Sequence, residues 1–326
     1  MKKTITHLSD GITLIDAHYT DQGIAGIYML VHASKVTLIE TGTSHSVAYV
    51  LAALEELKLT PDDVEYIIPT HIHLDHAAGA GHLLDLCLQA QLVIHPRGVG
   101  HLINPEKLEA GTIAVYGEEK YRKLYGALKP INEQRIIIAK DGFELDFNGR
   151  KLRFIDTPGH ALHHFCIYDP LSNGVFTGDT FGIAYKQLAN SNNDFIFPST
   201  TPVHFDPDAL LESIDKILSL QPKYIYLTHF GMIKPTKKNV SQLTQCIKTF
   251  VTIAKEEKNP IEDRAKRIEE KLMLYLLEQY HKTQGNASLE EAKKLLQMDC
   301  HLNAQGLDIW LKRLAKKENS PAISTV

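Results

Sequence analysis

Short apolar runs alternate with turn residues over the first two-thirds of the chain. They fall at 12–17, 26–32, 36–40, 64–69, 91–95, 135–139, 143–147, 151–155, 165–168, 174–177 and 224–227, and several are rich in Ile, Val, Phe and Tyr. Such residues suit a half-buried pleated surface, so each run is predicted as a strand. Amphipathic stretches at 46–57, 77–89, 120–128 and 207–220 are predicted as helices. Strands outnumber helices, and the first strands lie too close together for helical crossovers. Two sheets with helices outside them, an α+β arrangement, fit better than a doubly wound parallel sheet.

The pattern changes near residue 235. Ile261, Ala265, Ile268, Leu272 and Tyr275 step by four and three, a helical stripe. Ser288 with Glu291 forms a capping box that opens a helix with Leu289, Ala292, Leu295 and Leu296 inward. Leu307, Trp310, Leu311 and Leu314 form a further stripe. Two domains are therefore expected, 1–235 and an all-helical appendage at 236–326. The appendage is predicted as four helices between Lys237 and Lys317, with a frayed tail at 318–326.

Composition narrows the class. Of 326 residues, 44% are hydrophobic and 23% charged, as in a soluble globular protein, and the net charge of −4 supplies no global basic field for nucleic acid or acidic lipid. No run approaches the roughly 18 apolar residues of a membrane span. The opening MKKTITHLSD lacks the apolar core of a signal peptide, so a cytoplasmic location is expected. Cys87, Cys166, Cys246 and Cys300 never form a CxxC pair and read as buried thiols. Histidine is the outlier, with 17 copies.

Three histidines and an aspartate crowd into Thr70-His71-Ile72-His73-Leu74-Asp75-His76, between a predicted strand and a predicted helix. His71 and His73, two apart on an extended segment, can project to one side and ligate one cation. Asp75 and His76, at the turn into the helix, can reach a second. More ligands are needed, and three candidates each follow a predicted strand: His160 after Pro158-Gly159, Asp179 after Gly178, and His229 after Thr228. Seven ligands then allow two clusters, His71, His73 and His160 on one metal and Asp75, His76 and His229 on the other. Asp179 would bridge them, leaving room for a shared water or hydroxide. Asp75 and Asp179 are the expected catalytic carboxylates, acting as ligands rather than free general acids.

These elements resemble the metallo-β-lactamase-fold hydrolases, and within them the glyoxalase II-like branch. The matching pieces are His71-Ile-His73-Leu-Asp75-His76, Thr157-Pro158-Gly159-His160, Gly178-Asp179-Thr180 and Thr228-His229, in the family's order across residues 36 to 231. The resemblance implies an αββα sandwich with a dinuclear site along one edge of its sheets. It implies two divalent cations, zinc first, with iron or manganese as alternatives. It also implies hydrolysis of an ester, thioester or lactone by a hydroxide between the metals, acting on a small-molecule acyl substrate without nucleic acid or membrane. The bridging Asp179 and the missing export signal argue against a β-lactam substrate. Iron-dependent oxygen or persulfide chemistry, RNase Z-like phosphodiester cleavage and a non-catalytic metal-binding regulator are the competing readings. A homodimer through the helical appendage is a further expectation. One departure is Glu40-Thr41-Gly42, where relatives usually carry Asp-Thr-Gly. Glu40 supports the site rather than ligating, and its extra methylene leaves its hydrogen bond open.

Other residues are weaker candidates. His163 and His164 would close the open coordination position if they were added to a complete set. His45, His82, His95, His101 and His204 read as ordinary. The long segment 181–206, with Phe181, Tyr185, Phe195, Phe197 and His204, either walls the pocket or packs down on its own side chains. Lys234, Lys237 and Lys238 read as a solvated helix start, with an anionic carrier as the alternative.

Overall fold

The computed structural model describes residues 4–319. The first half runs β1 (Ile5–His7), β2 (Ile12–Asp16), β3 (Gly26–His32), β4 (Lys35–Ile39), α1 (Val47–Glu56), β5 (Val64–Ile68), α2 (Leu74–Ala77) and α3 (Ala80–Leu86). It continues through β6 (Gln91–Ile94), α4 (Val99–Ile103), α5 (Glu106–Tyr116), α6 (Glu118–Tyr125) and β7 (Ile136–Ile138). The second half holds β8 (Glu144–Phe147), β9 (Arg150–Asp156), β10 (Phe165–Asp169), β11 (Gly174–Gly178), α7 (Pro207–Ser219), β12 (Tyr224–Leu227) and β13 (Gly231–Ile233). It ends in α8 (Lys237–Glu256), α9 (Arg264–Thr283) and α10 (Leu289–Asn319).

Each half builds one sheet. Strands β1 to β7 lie side by side in chain order, antiparallel as far as β4 and parallel from β4 to β7. The other sheet has the order β13-β12-β11-β10-β9-β8, antiparallel except for β11 with β12.

Strand alternation assigns side chains to layers. Ile12, Leu14, Tyr28 and Leu30 meet Phe154, Phe165, Ile167, Phe176 and Tyr226 in the core between the sheets. Their strand neighbours Ile15, Ile27 and Met29 point the other way, onto Val50, Ala53 and Leu54 of α1 and Ala80 and Leu83 of α3. On the outer face of the second sheet, Cys166, Val175 and Ile225 pack with α7 and with Leu243, Leu272, Leu296 and Leu307 of the last three helices. The result is a four-layer helix–sheet–sheet–helix sandwich with a C-terminal helical region. The four cysteines are free and buried, and no helix among the described residues is long and apolar enough to cross a membrane.

The helical region has three helices, not the four expected. The two stripes at 289–296 and 307–314 belong to one helix, α10, because Cys300 and Ala304 carry the buried stripe across the gap. The expected tail at 318–326 begins inside that helix, and residues 320–326 lie outside the described residues. The helix expected over 77–89 is instead α2 and α3, parted where Gly79 N–H donates to the Gly42 carbonyl.

Helix α10 grips the long segment before α7. Gly306 is required there, since a Cβ would lie 1.6 Å from the Thr200 carbonyl oxygen. Asn303 accepts from Thr200 N–H (2.5 Å) and donates to the Pro198 carbonyl (3.1 Å). The Asn303→Ala variant strands both buried backbone groups and is expected to lower stability by about 2–3 kcal/mol, readable in a denaturant titration. A change within error would mean that the clamp contributes nothing.

Candidate metal centre

Every sequence-predicted ligand sits just past a strand end. His71, His73, Asp75 and His76 follow β5, His160 follows β9, Asp179 follows β11 and His229 follows β12. These ends, from both sheets, meet at one edge of the sandwich. Three sets of donor atoms gather within 4.8 Å of one another: His71, His73 and His160; His71, His76 and Asp179; and Asp75, His76 and His229.

In the first set, His73 Nδ1 lies 2.8 Å from His71 Nε2 and 3.0 Å from His160 Nε2. In the second group, His229 Nε2 lies 3.3 Å from His76 Nε2 and 3.4 Å from Asp75 Oδ2. Asp179 stands between them. Its Oδ2 is 3.5 Å from His160 Nε2, and its Oδ1 is 3.2 Å from His76 Nε2 and 3.4 Å from His229 Nε2. Donors bound about 2.1 Å from a tetrahedral cation stand about 3.4 Å from one another, so both cages have suitable dimensions.

The surrounding hydrogen bonds fix which ring nitrogen faces the centre. Thr70 Oγ1 donates to Glu40 Oε1 (2.6 Å), so its lone pair takes the Nδ1 proton of His71 (3.1 Å). His160 Nδ1 donates to the Ser199 carbonyl (3.2 Å), His229 Nδ1 to the Ile24 carbonyl (2.7 Å) and His76 Nδ1 to Glu40 Oε1 (2.9 Å). Each leaves Nε2 aimed inward as a lone-pair donor. Glu40 also accepts from Thr70 N–H (3.0 Å) and Thr228 Oγ1 (2.9 Å), so its longer side chain ties two candidate ligand loops, after β5 and after β12, together.

Protonation divides the site. Burial, then the neighbouring imidazoles, hold His71 well below the usual histidine range. Burial and His160 push His73 down to about 3, and burial lowers His160. These three are neutral donors. Burial opposes charge on the other two as well, but carboxylates win there. Glu40, Asp75 and Asp179 raise His76 well above its ordinary value. Asp179 and Asp75 push His229 up to about 9. Burial would raise Asp75, yet His76 and His229 bring it down to about 2. Asp179 Oδ1 is buried without a hydrogen bond, facing two imidazoles. Three neutral imidazoles beside a trio of one carboxylate and two imidazoles, with an orphaned Asp179 oxygen facing the latter, suit divalent cations.

A proton on His229 stabilises the metal-free fold. Because its folded pKa of about 9 exceeds the ordinary value, that stabilisation is complete below about pH 6.5 and is lost as pH rises through about 9. Melting curves of metal-free protein are expected to shift downward across this interval. Metal-loaded protein, its proton displaced, is expected to stay flat. Parallel curves would contradict the assignment.

Other residues take supporting places. His164 is a buttress: its Nε2 accepts from Asp179 N–H (3.2 Å) and its Nδ1 lies 2.9 Å from Thr157 Oγ1. His95 pairs with Asp156 at 3.0 Å. The phenylalanines of the 181–206 segment are buried in the helical-side core, so that segment packs down on its own side chains. Lys234, Lys237 and Lys238 are exposed. Sequence reasoning missed Ser199, whose Oγ donates to Asp179 Oδ2 (2.9 Å). It also missed Asp299 on α10, which accepts from the Tyr185 hydroxyl (3.2 Å). Burial raises Asp299 to about 7, reinforced by Asp179 and Asp75 across the site. The available signal was Asp299 and Asn303, polar residues one turn apart flanking the apolar stripe of α10.

Known proteins are similar to this chain in sequence and fold. The metallo-beta-lactamase fold-containing protein ST1585 of Sulfurisphaera tokodaii is 29% identical over 216 residues, covering 65% of this chain and 75% of that one. The solved structure of ST1585 from Sulfolobus tokodaii superposes with a TM-score of 0.64 at 23% identity, covering 92% of this chain and 99% of that chain. The hydroxyacylglutathione hydrolase of Serratia proteamaculans is 30% identical over 163 residues, half of each chain. Residues 21–229 match the metallo-beta-lactamase superfamily model, and the chain belongs to that superfamily.

Proposed function

We propose that this protein is a dinuclear metal-dependent hydrolase acting on an ester, thioester or lactone. His71, His73 and His160 would hold one cation and Asp75, His76 and His229 the other, with Asp179 placed between the two sets. The observation that carries the reading is the Asp179 carboxylate, which turns one oxygen toward each set of donors. Mixed imidazole and carboxylate donors at near-tetrahedral spacing favour zinc. The partial likeness to a hydroxyacylglutathione hydrolase supports a thioester among the candidate bonds.

The bound cations would supply Lewis acidity and a hydroxide nucleophile at neutral pH. Among the described residues, two nearby side chains that could compete as nucleophiles are not free to do so. The Ser199 hydroxyl is committed to Asp179, and burial raises the Cys166 thiol to about 12. No covalent acyl-enzyme is therefore expected. Thr70, Glu40, Ser199 and Ile24 hold the ligating rings rigid, so little reorganisation is needed on reaction.

The test is a panel of acyl thioesters, homoserine lactones and bis-p-nitrophenyl phosphate, assayed on protein of known metal content. Turnover of a thioester or lactone, lost on chelation and restored by zinc, is the expected result. Cleavage of the phosphodiester alone would replace this reading. A visible absorption band with oxygen uptake would point instead to iron chemistry.

A further inference from the structure

One wall beside the ligands has no part in holding cations. The ring of His163 lies 5.6 Å from that of His73, and the ring of His204 lies 5.8 Å from that of His163. His204 sits on the segment just past Ser199, half-buried. Basic side chains from three other elements act on it: Arg97 after β6, His101 on α4, and Arg313 on α10, which reaches the carbonyls of Val203 and Phe205 on either side of it. Burial and then the charges of Arg313, Arg97 and His101 lower the His204 pKa, and no carboxylate is among the main groups acting on it.

Nearby acids are occupied. Asp206 caps α7 through the N–H groups of Asp208 and Ala209, and Asp156 pairs with His95. Arg313 donates to the Val203 and Phe205 carbonyls, which fix its position without neutralising it. Arg97 is exposed and has no side-chain hydrogen bond or ion pair among the described residues. Its neighbour Gly98 sits so close to the ligand loop that a Cβ would come within 2.8 Å of Ile72 Cγ2, between His71 and His73. Asp299, by contrast, lies within the field of Asp75 and Asp179. Basic and acidic groups thus act on different residues around the centre, in a chain whose net charge is −4.

We propose that Arg97, His101, His204 and Arg313 form an anion subsite, which takes a carboxylate or phosphate carried by the substrate away from its scissile bond. The word substrate rests on the hydrolase reading above; the anion site itself does not. Two guanidiniums give steering and charge-assisted hydrogen bonds, and the two imidazoles add ring N–H donors. An acyl compound with this group on the His73 side places its carbonyl over the cations in one orientation.

The chain supplies its own reporter. Trp310 is the only tryptophan, three residues before Arg313, with its ring 6.2 Å from that of Phe205. Metal-loaded protein is titrated with succinate and, separately, with inorganic phosphate while Trp310 fluorescence is followed. Saturable changes are expected, weakened about tenfold in Arg97→Glu and reduced by added salt. The anion bound more tightly identifies which group the subsite takes. Silence toward both anions, or an affinity unchanged in Arg97→Glu because the anion sits on the cations, would overturn the proposal. Arg97→Glu is the primary variant because Arg313→Gln also removes two loop hydrogen bonds. In parallel, kcat/KM is compared for the S-succinyl and S-acetyl thioesters of N-acetylcysteamine. A preference for the acidic thioester that collapses in Arg97→Glu supports the site, and an unchanged preference counts against it. If neither thioester is hydrolysed, a thioester substrate is ruled against, and the anion titration still decides the subsite.

Discussion

Replacing Asp179 with asparagine is expected to lower turnover by about a thousandfold or more and to leave fewer than two cations per chain. The reason lies in the placement of its two oxygens. Oδ2 faces His160 and Oδ1 faces His76 and His229. An amide keeps the size but loses the charge, and turns its NH2 toward one set of donors. Asp75 is then the only carboxylate left among the ligands for two divalent cations. The fold should persist, because Asp179 is in a loop whose backbone is held independently by His164. Turnover, metal content and circular dichroism on the same preparation check the prediction. Wild-type activity with two bound cations would remove Asp179 from the site.

Replacing Glu40 with alanine is expected to harm the fold as well as the chemistry. Four donors converge on this buried carboxylate: Thr70 N–H, Thr70 Oγ1, Thr228 Oγ1 and His76 Nδ1. Removing the acceptor leaves them unsatisfied where water has little access, at a cost of about 3–5 kcal/mol. His76 also loses the partner that orients Nε2, so the second cation should be held about 10- to 100-fold more weakly. Glu40→Gln separates the two effects. Its amide oxygen can still accept from some of these donors, so stability should fall less than in Glu40→Ala while the second cation is still weakened. Equal stability of wild type and Glu40→Ala in denaturant would show that this network is incidental.

The candidate ligand set was legible because it lies where pattern and chemistry coincide. The 71–76 cluster carries its own spacing, and His160, Asp179 and His229 each follow an apolar run that could be read as a strand. Edge strands β1 and β13, three residues each, are too short to show alternation. Helices α4 and α5 were also missed; α5 carries a weak apolar stripe among exposed residues. The split of α10 into two helices came from taking the gap between the 289–296 and 307–314 stripes as a boundary, where Cys300 and Ala304 carry the buried face across. Ser199 and Asp299 stayed invisible for a different reason. Their roles depend on long-range packing of α10 against the 181–206 segment, which no local pattern records. Glu40 was visible as a departure from its relatives, but its reach to the loops after β5 and β12 required coordinates.

The central claim is that seven side chains from four strand ends hold two cations. Metal content by mass spectrometry, on protein reconstituted and then freed of loosely bound ions, tests it most directly. The account predicts two transition-metal ions per chain in the wild type. It predicts loss of one when His73 is replaced by alanine, and loss of the other when His229 is replaced by alanine. No tightly bound ion in the wild type, or two in either variant, would contradict it.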